Sequence, residues 1–333
     1  MAEIDDRLQR PFACLRRWLT SVWITAALTF FGGAYPMTAD AGRIIYVSPT
    51  RGDDANSGTR DLPLGSVSAA ISVVRPGDTI LLEPGRYRQA GASGFGLRIR
   101  RSGTKAAPII LRAQSGEAII DCSEMRSTKT VYCVQLEADW WQISGIAVTG
   151  SRQNAKGAWA VGINLLNARN NVLRSVRSFR NEGPGIVITG NSGNNRLQDC
   201  KAFANYDPLS AIPGGNADGI QITAIPQGQV GNVISNCRSF DNSDDGFDLW
   251  KAESLVTIKN SVASRNGYVP GSSRSAGDGV GFKLGKNLTG PRHRIINNLA
   301  VDNRAAGFDR NGGVGQLTFI DNVARGNGGD SFN

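Results

Sequence analysis

The 333-residue sequence predicts an all-β chain wound as a right-handed parallel β-helix, a solenoid with a short N-terminal capping helix. Three observations carry that expectation. Six asparagines, Asn181, Asn205, Asn242, Asn266, Asn303 and Asn327, recur at separations of 24, 37, 24, 37 and 24 residues, a constant period with two insertions of equal length. Three residues before each stands a small side chain: Ser178, Ala202, Ser239, Ala263, Ala300 or Ala324. A second strand follows in each repeat and usually opens with glycine: GIVIT (185–189), GIQIT (219–223), GFDLW (246–250), GFKLG (281–285) and GFDRN (307–311).

Recurrence at about two dozen residues is the mark of stacked coils, each contacting only its neighbours. Asparagines held in one column at a turn pass amide hydrogen bonds from coil to coil. Helical solenoids are disfavoured, because strand-sized apolar runs and glycine turns leave no room for two helices per repeat.

The N-terminal stretch is separable. Arg16 and Arg17 precede the apolar run Trp18 to Phe31, then GGAYP and the small-x-small Ala39-Asp40-Ala41, which together read as a secretory signal over residues 1–41. The run is shorter than the ~20 residues that span a bilayer, so stable membrane insertion is not expected. Residues 42–333 are expected to form one β-helical domain, secreted or periplasmic. RIIYVSPTRGDDANSGT begins as a strand and becomes turn-rich, and SVSAAISVV (66–74) has a short helical pattern that Pro76 and Gly77 end. TILLEPGRYR and PIILRA begin the series of short β-branched strands.

The first 41 residues hold equal numbers of acidic and basic side chains, so the mature chain keeps the whole net charge of +9. A basic exported protein is suited to a polyanion. Nucleic acid is the poorest fit, since the basic residues are scattered and no recognition motif appears. Of five cysteines, Cys14 leaves with the signal. Cys122, Cys133, Cys200 and Cys237 remain at spacings unlike a zinc site, with Cys122 and Cys133 the better candidate pair for a disulfide. The sole histidine, His293, is expected at the surface.

Aligned on their opening glycines, the second strands place Val187, Gln221, Asp248, Lys283 and Asp309 in one column and Pro184, Asp218, Asp245, Val280 and Ala306 in another. In-register parallel strands lie about 4.8 Å apart. Asp218 and Asp245 are then rung neighbours, Asp248 shares a rung with Asp245, and Lys283 lies one rung beyond. An isolated Asp-Gly pair would read as a turn. Carboxylates aligned across successive coils repel unless something positive lies among them. Oxygen ligands from Asp218, Asp244, Asp245 and Asp248, with water and a backbone carbonyl near Asn242, suit Ca²⁺, which takes 6 to 8 oxygens. Asp241 precedes the ladder asparagine and is expected to face out.

Lys283 alone would be a solvated lysine or the counter-ion of Asp248. Beside Ca²⁺, its pKa lowered by that cationic charge, it becomes a candidate general base. In a uronic-acid polymer the C5 proton is α to a carboxylate, and its removal followed by loss of the C4 glycosidic oxygen is a β-elimination.

NADG (216–219), SDDGFDLW (243–250), GFKLG (281–285) and AGFDRN (306–311) closely resemble signature segments of the family-9 polysaccharide lyases, the β-helical pectate lyases. YVSPTRGDDANSGT with PGDTILLEPGRY resembles the N-terminal coil of β-helical polysaccharide lyases more generally. The resemblance implies a Ca²⁺-dependent pectate lyase that cleaves polygalacturonate, with Asp218, Asp244, Asp245 and Asp248 as metal ligands and Lys283 as the Brønsted base. A monomer is expected. Phe247 departs from the family's usual tryptophan, and Lys286 stands where a second glycine is common; both are expected to bear on the substrate groove. Arg274, Lys286, Arg292 and Arg310 are candidates for substrate carboxylates, with surface solvation as the default for each. Two competing readings are a lyase acting on another uronan such as alginate, and a non-catalytic polysaccharide-binding β-helix.

Overall fold

The computed structural model describes residues 42–286 and 292–333. The secretory signal expected over 1–41 lies outside them. Among these residues the strands fall into sheets of ten, eight and nine with parallel pairing throughout, and apart from the first pair of the ten-stranded sheet each sheet is built from strands three apart in chain order. This is the parallel β-helix: each coil gives one strand to each of three sheets, and the next coil stacks on it.

The short helix Val67–Val73 forms where its pattern predicts. Ser66 caps it, the side chain accepting the Ala69 N–H at 3.1 Å, and Val67 and Ala70 face the core. Inside the coils, Leu173, Leu197, Ile234, Ile258 and Ile295 are successive register partners and all buried. Burial of such columns along the whole solenoid is what holds coil to coil.

The asparagine ladder forms as the period requires. Nδ2 of Asn181, Asn205, Asn242, Asn266 and Asn303 each donates to Oδ1 of the next ladder residue, at 3.0, 2.8, 3.0, 2.9 and 2.9 Å. The small column and the opening glycines are two sides of one contact. Ser239 Oγ donates to the Gly246 carbonyl at 2.6 Å, and a Cβ at Gly246 would lie 2.9 Å from that of Ala263 and 2.8 Å from Asn266 Nδ2. Larger side chains at either position would push the ladder corner open.

The corner between the ten- and nine-stranded sheets is equally regular. Ser175, Asp199, Asn236, Asn260, Asn297 and Asp321 all take positive φ between 52 and 56°, the left-handed region that Asn and Asp enter at least cost. Cys122 and Cys133 are disulfide-bonded with Cα atoms 5.6 Å apart, whereas Cys200 and Cys237 are buried free thiols.

His293 is a correction. It is fully buried, and its Nδ1 accepts the Val256 N–H at 3.1 Å, as Asn232 Oδ1 accepts the Asn195 N–H at 3.0 Å. The imidazole thus does at this corner what an asparagine does elsewhere. Burial, against the charge of Glu253, pushes its pKa down to about 4. Phe247 is a second. Its ring is fully buried and stacks on Phe282 at 4.7 Å, which stacks on Phe308 at 4.7 Å, so it belongs to an aromatic column inside the coil and not to a groove.

Candidate active site

Sheet register assembles the site. In the eight-stranded sheet Val187 pairs with Gln221, Gln221 with Asp248, Asp248 with Lys283 and Lys283 with Asp309. Alternation along each strand turns these side chains outward while Ile188, Ile222, Leu249 and Leu284 face the core. Both long insertions enter mainly at the corner leading into this sheet, one on the coil that carries Asp218 and the other on the coil that carries Lys283. They meet across the shorter coil between: a Cβ on Gly214 would lie 2.7 Å from Ala276 Cβ, and one on Gly277 would lie 2.3 Å from Asp244 Oδ1. Only glycine lets the second insertion approach the carboxylates so closely.

Asp218, Asp244 and Asp245 converge, each offering a carboxylate oxygen within 4.8 Å of the others. Backbone amides orient them. Asp218 Oδ1 accepts the Asp245 N–H at 3.1 Å, Asp244 Oδ1 the Asp278 N–H at 2.6 Å, and Asp245 Oδ1 the Val280 N–H at 2.7 Å. Asp248 stands beside this trio without joining it. Its Oδ2 takes a long 3.4 Å hydrogen bond from Gln221 Nε2, and its Oδ1 is buried with no partner. The Asn242 carbonyl accepts the Gly267 N–H at 2.9 Å. Asp241 faces outward and pairs with Arg265 at 2.9 Å.

Lys283 closes the cluster. Its side chain is 10% exposed, and Nζ lies 2.9 Å from Asp245 Oδ2 and 2.6 Å from Asp278 Oδ2. Asp278 is a residue that sequence reasoning missed. It lies in the second insertion, in Gly277-Asp278-Gly279, where no repeat partner marks it, and Arg304 Nη2 holds the loop by donating to the Asp278 carbonyl at 2.7 Å. The one available signal was the equal length of the two insertions. Arg310 donates to the Gly315 carbonyl and Arg292 to Gln316 Oε1, so both are engaged within the chain.

Burial first, then repulsion among the carboxylates, raises the pKa of Asp218, Asp244 and Asp248, the last to about 7. Asp245 is raised as well, by burial that its pairing with Lys283 only partly offsets. Burial pushes the Lys283 ammonium down, but Asp245 and Asp248, with hydrogen bonds to Asp278 and Asp245, outweigh it and hold the lysine charged. These are the charges that a cation bound among the carboxylates would have to offset before the lysine could lose its proton. A buried set of carboxylates is costly unless protonated or compensated by positive charge. The donors are all oxygen, one of them an orphan, so the residues fit a hard divalent cation.

A family model described as Pel9A-like, right handed beta helix region matches residues 45–333. The chain is 35% identical over 292 residues to pectate lyase L of Dickeya chrysanthemi, a match covering 86% of this chain and 66% of that protein. The chain thus spans just under two thirds of that relative's length. Among solved structures it is similar to pectate lyase Pel9A, with TM-score 0.73 and 34% identity over 86% of this chain and 70% of that one. It is also similar to a rhamnogalacturonan lyase, with TM-score 0.76 and 27% identity over 85% of this chain and 74% of that one.

Proposed function

The chain belongs to the Pel9A-like right-handed β-helix family, and we propose that it is an exported, Ca²⁺-dependent pectate lyase that cleaves polygalacturonate by β-elimination. The observation that carries the proposal is the convergence of buried carboxylates from two coils on one lysine. Asp218, Asp244 and Asp245 would hold the ion, with Asp248 completing the protein's share through its unpartnered oxygen. Bound there, Ca²⁺ would neutralise the cluster and stabilise negative charge developing on a substrate carboxylate.

The remaining roles fall to the chain itself. Lys283 abstracts the C5 proton, α to the uronate carboxylate, the electron pair left on C5 forms the C4–C5 double bond, and the C4 glycosidic oxygen departs and takes a proton from solvent, to which Lys283 then returns its own. No water is consumed, and the product ends carry an unsaturated uronate and a free hydroxyl. A base must be neutral when it acts. Compensation of Asp245 and Asp248 removes the larger part of the charge that holds Lys283 protonated, so occupancy of the acidic cluster and readiness of the base are coupled. Asp278 remains as the contact that aims Nζ. The +9 charge on the chain favours encounter with a polyanion.

Polygalacturonate, rhamnogalacturonan and alginate, each incubated with the purified protein and Ca²⁺, test the reading through the ultraviolet absorbance of the unsaturated product. Product from polygalacturonate supports it. Product only from rhamnogalacturonan or alginate reassigns the polymer, and binding without product from any of them leaves a polysaccharide-binding β-helix.

A further inference from the structure

Trp250 lies two residues beyond Asp248, in the turn that follows the strand Phe247–Asp248, with Leu249 between them in the core. Its half-buried ring is flanked from two coils. Lys251 Nζ is 5.7 Å and Lys286 Nζ 5.6 Å from the ring centroid, inside the range of a cation–π contact. Both lysines are exposed, and among the described residues neither forms an ion pair. Both also hold left-handed backbone, with φ of +53 and +69°, where lysine is disfavoured relative to glycine or asparagine. Gly285 fixes where Lys286 emerges: a Cβ there would meet the Arg310 carbonyl oxygen at 1.4 Å, so this strand end is pressed onto the next coil.

Two uncompensated ammoniums from different coils are therefore gathered over one aromatic ring, next to the column that carries Asp248 and Lys283. Like charges do not converge for their mutual benefit, and the ring is a weak counterweight. An anion with an apolar face satisfies all three groups at once.

We propose that Trp250, Lys251 and Lys286 form a subsite for one uronate residue of the polymer, adjacent to the residue acted on at Lys283. The ring receives the C–H face of the sugar and the two ammoniums its carboxylate. The proposal rests on the polyuronate reading of the site and adds to it a discrimination: a methyl-esterified residue offers the ring the same face but gives the ammoniums no anion.

The test compares wild type with Lys251→Gln/Lys286→Gln on polygalacturonate and on highly methyl-esterified pectin, alongside affinity electrophoresis through polygalacturonate. The expected result is a KM on polygalacturonate raised about tenfold, the effect of losing two surface charge contacts. The loss falls in KM rather than kcat, is absent on esterified pectin, and is restored by Lys251→Arg/Lys286→Arg. An unchanged KM on polygalacturonate, or an equal loss on both polymers, overturns the subsite while leaving the lyase reading intact. The electrophoresis arm uses Lys283→Ala with and without the two glutamine changes and needs no turnover. Weaker retention of the triple variant supports the subsite even if wild type cleaves nothing, which would sink the lyase reading alone. Equal retention of the two proteins overturns the subsite, and no retention of Lys283→Ala together with no product from wild type overturns both.

Discussion

Asp248 and Lys283 are register partners on adjacent rungs, yet the lysine does not rest on its partner: Nζ sits 2.9 Å from Asp245 and 2.6 Å from Asp278. The ammonium bridges the acidic trio to the second insertion and leaves one oxygen of Asp248 buried without a partner. Sheet register brings the groups to the same place, and the insertion decides which of them touch.

That arrangement makes the metal-free protein sensitive to alkali. A carboxyl whose folded pKa is raised keeps its proton in the fold at pH values where the unfolded chain has lost it, so stability falls as pH rises from about 4 through the folded pKa. Asp248, raised to about 7, and its raised neighbours should lower the melting temperature of the chelated protein between pH 5 and 8. His293, depressed to about 4, contributes the opposite slope, but only below its unfolded value of about 6.5. The Lys283 pairing is raised and so stays in place throughout this window. Saturating Ca²⁺ should raise the melting temperature and remove the decline above pH 6.5. Calorimetry with chelator and with Ca²⁺ measures both, and a chelated protein equally stable at pH 5 and 8 contradicts the site as described.

Asp278→Ala should lower kcat about tenfold, because it removes a 2.6 Å contact to the lysine and lets Nζ leave its bearing. The Asp278 side chain is 68% exposed, so the melting temperature should barely change. Steady-state kinetics with a thermal melt separates the two effects, and an unchanged kcat removes Asp278 from the aiming of the base.

Asn242→Ala should destabilise the fold by about 2–4 kcal/mol. Asn242 accepts from Asn205 Nδ2 at 2.8 Å and donates to Asn266 Oδ1 at 3.0 Å, so its loss leaves buried amide groups unmatched on both sides. Urea unfolding measures the difference, and a loss below about 0.5 kcal/mol would mean that the ladder is not a source of stability.

Phe247→Ala should cost about 3–5 kcal/mol, since it hollows the fully buried stack on Phe282. The volume-conserving Phe247→Leu should keep KM for polygalacturonate, because the ring faces the core. A KM change with Phe247→Leu at unchanged stability would place the residue back at the groove.

The coil architecture was legible in the sequence because its determinants repeat. The asparagine column, the small column and the opening glycines each report the same period, and counting from a glycine is enough to pair Asp248 with Lys283. Residues that fall outside the period were not legible. Asp278 lies in an insertion with no equivalent in neighbouring coils, and its approach to Lys283 depends on how two insertions close over a third coil. His293 was misread for a related reason: it occupies a corner column where other coils use asparagine, and nothing local to Pro291-Arg292-His293 shows that its ring turns inward. Phe247 and Lys286 looked like paired departures at a groove. Alternation along its strand sends the first into the core, whereas the second lies beyond the strand Phe282–Lys283, where a left-handed backbone leaves it exposed beside Trp250.

The central claim is that Lys283, set among carboxylates that a cation compensates, removes the proton that starts β-elimination. It is tested most directly by the rate of unsaturated-product formation from polygalacturonate with Ca²⁺, wild type against Lys283→Ala, at equal fold as judged by circular dichroism. The account predicts a rate lowered on the order of 10³-fold, the range expected for loss of a positioned general base. A Lys283→Ala rate within tenfold of wild type would contradict it.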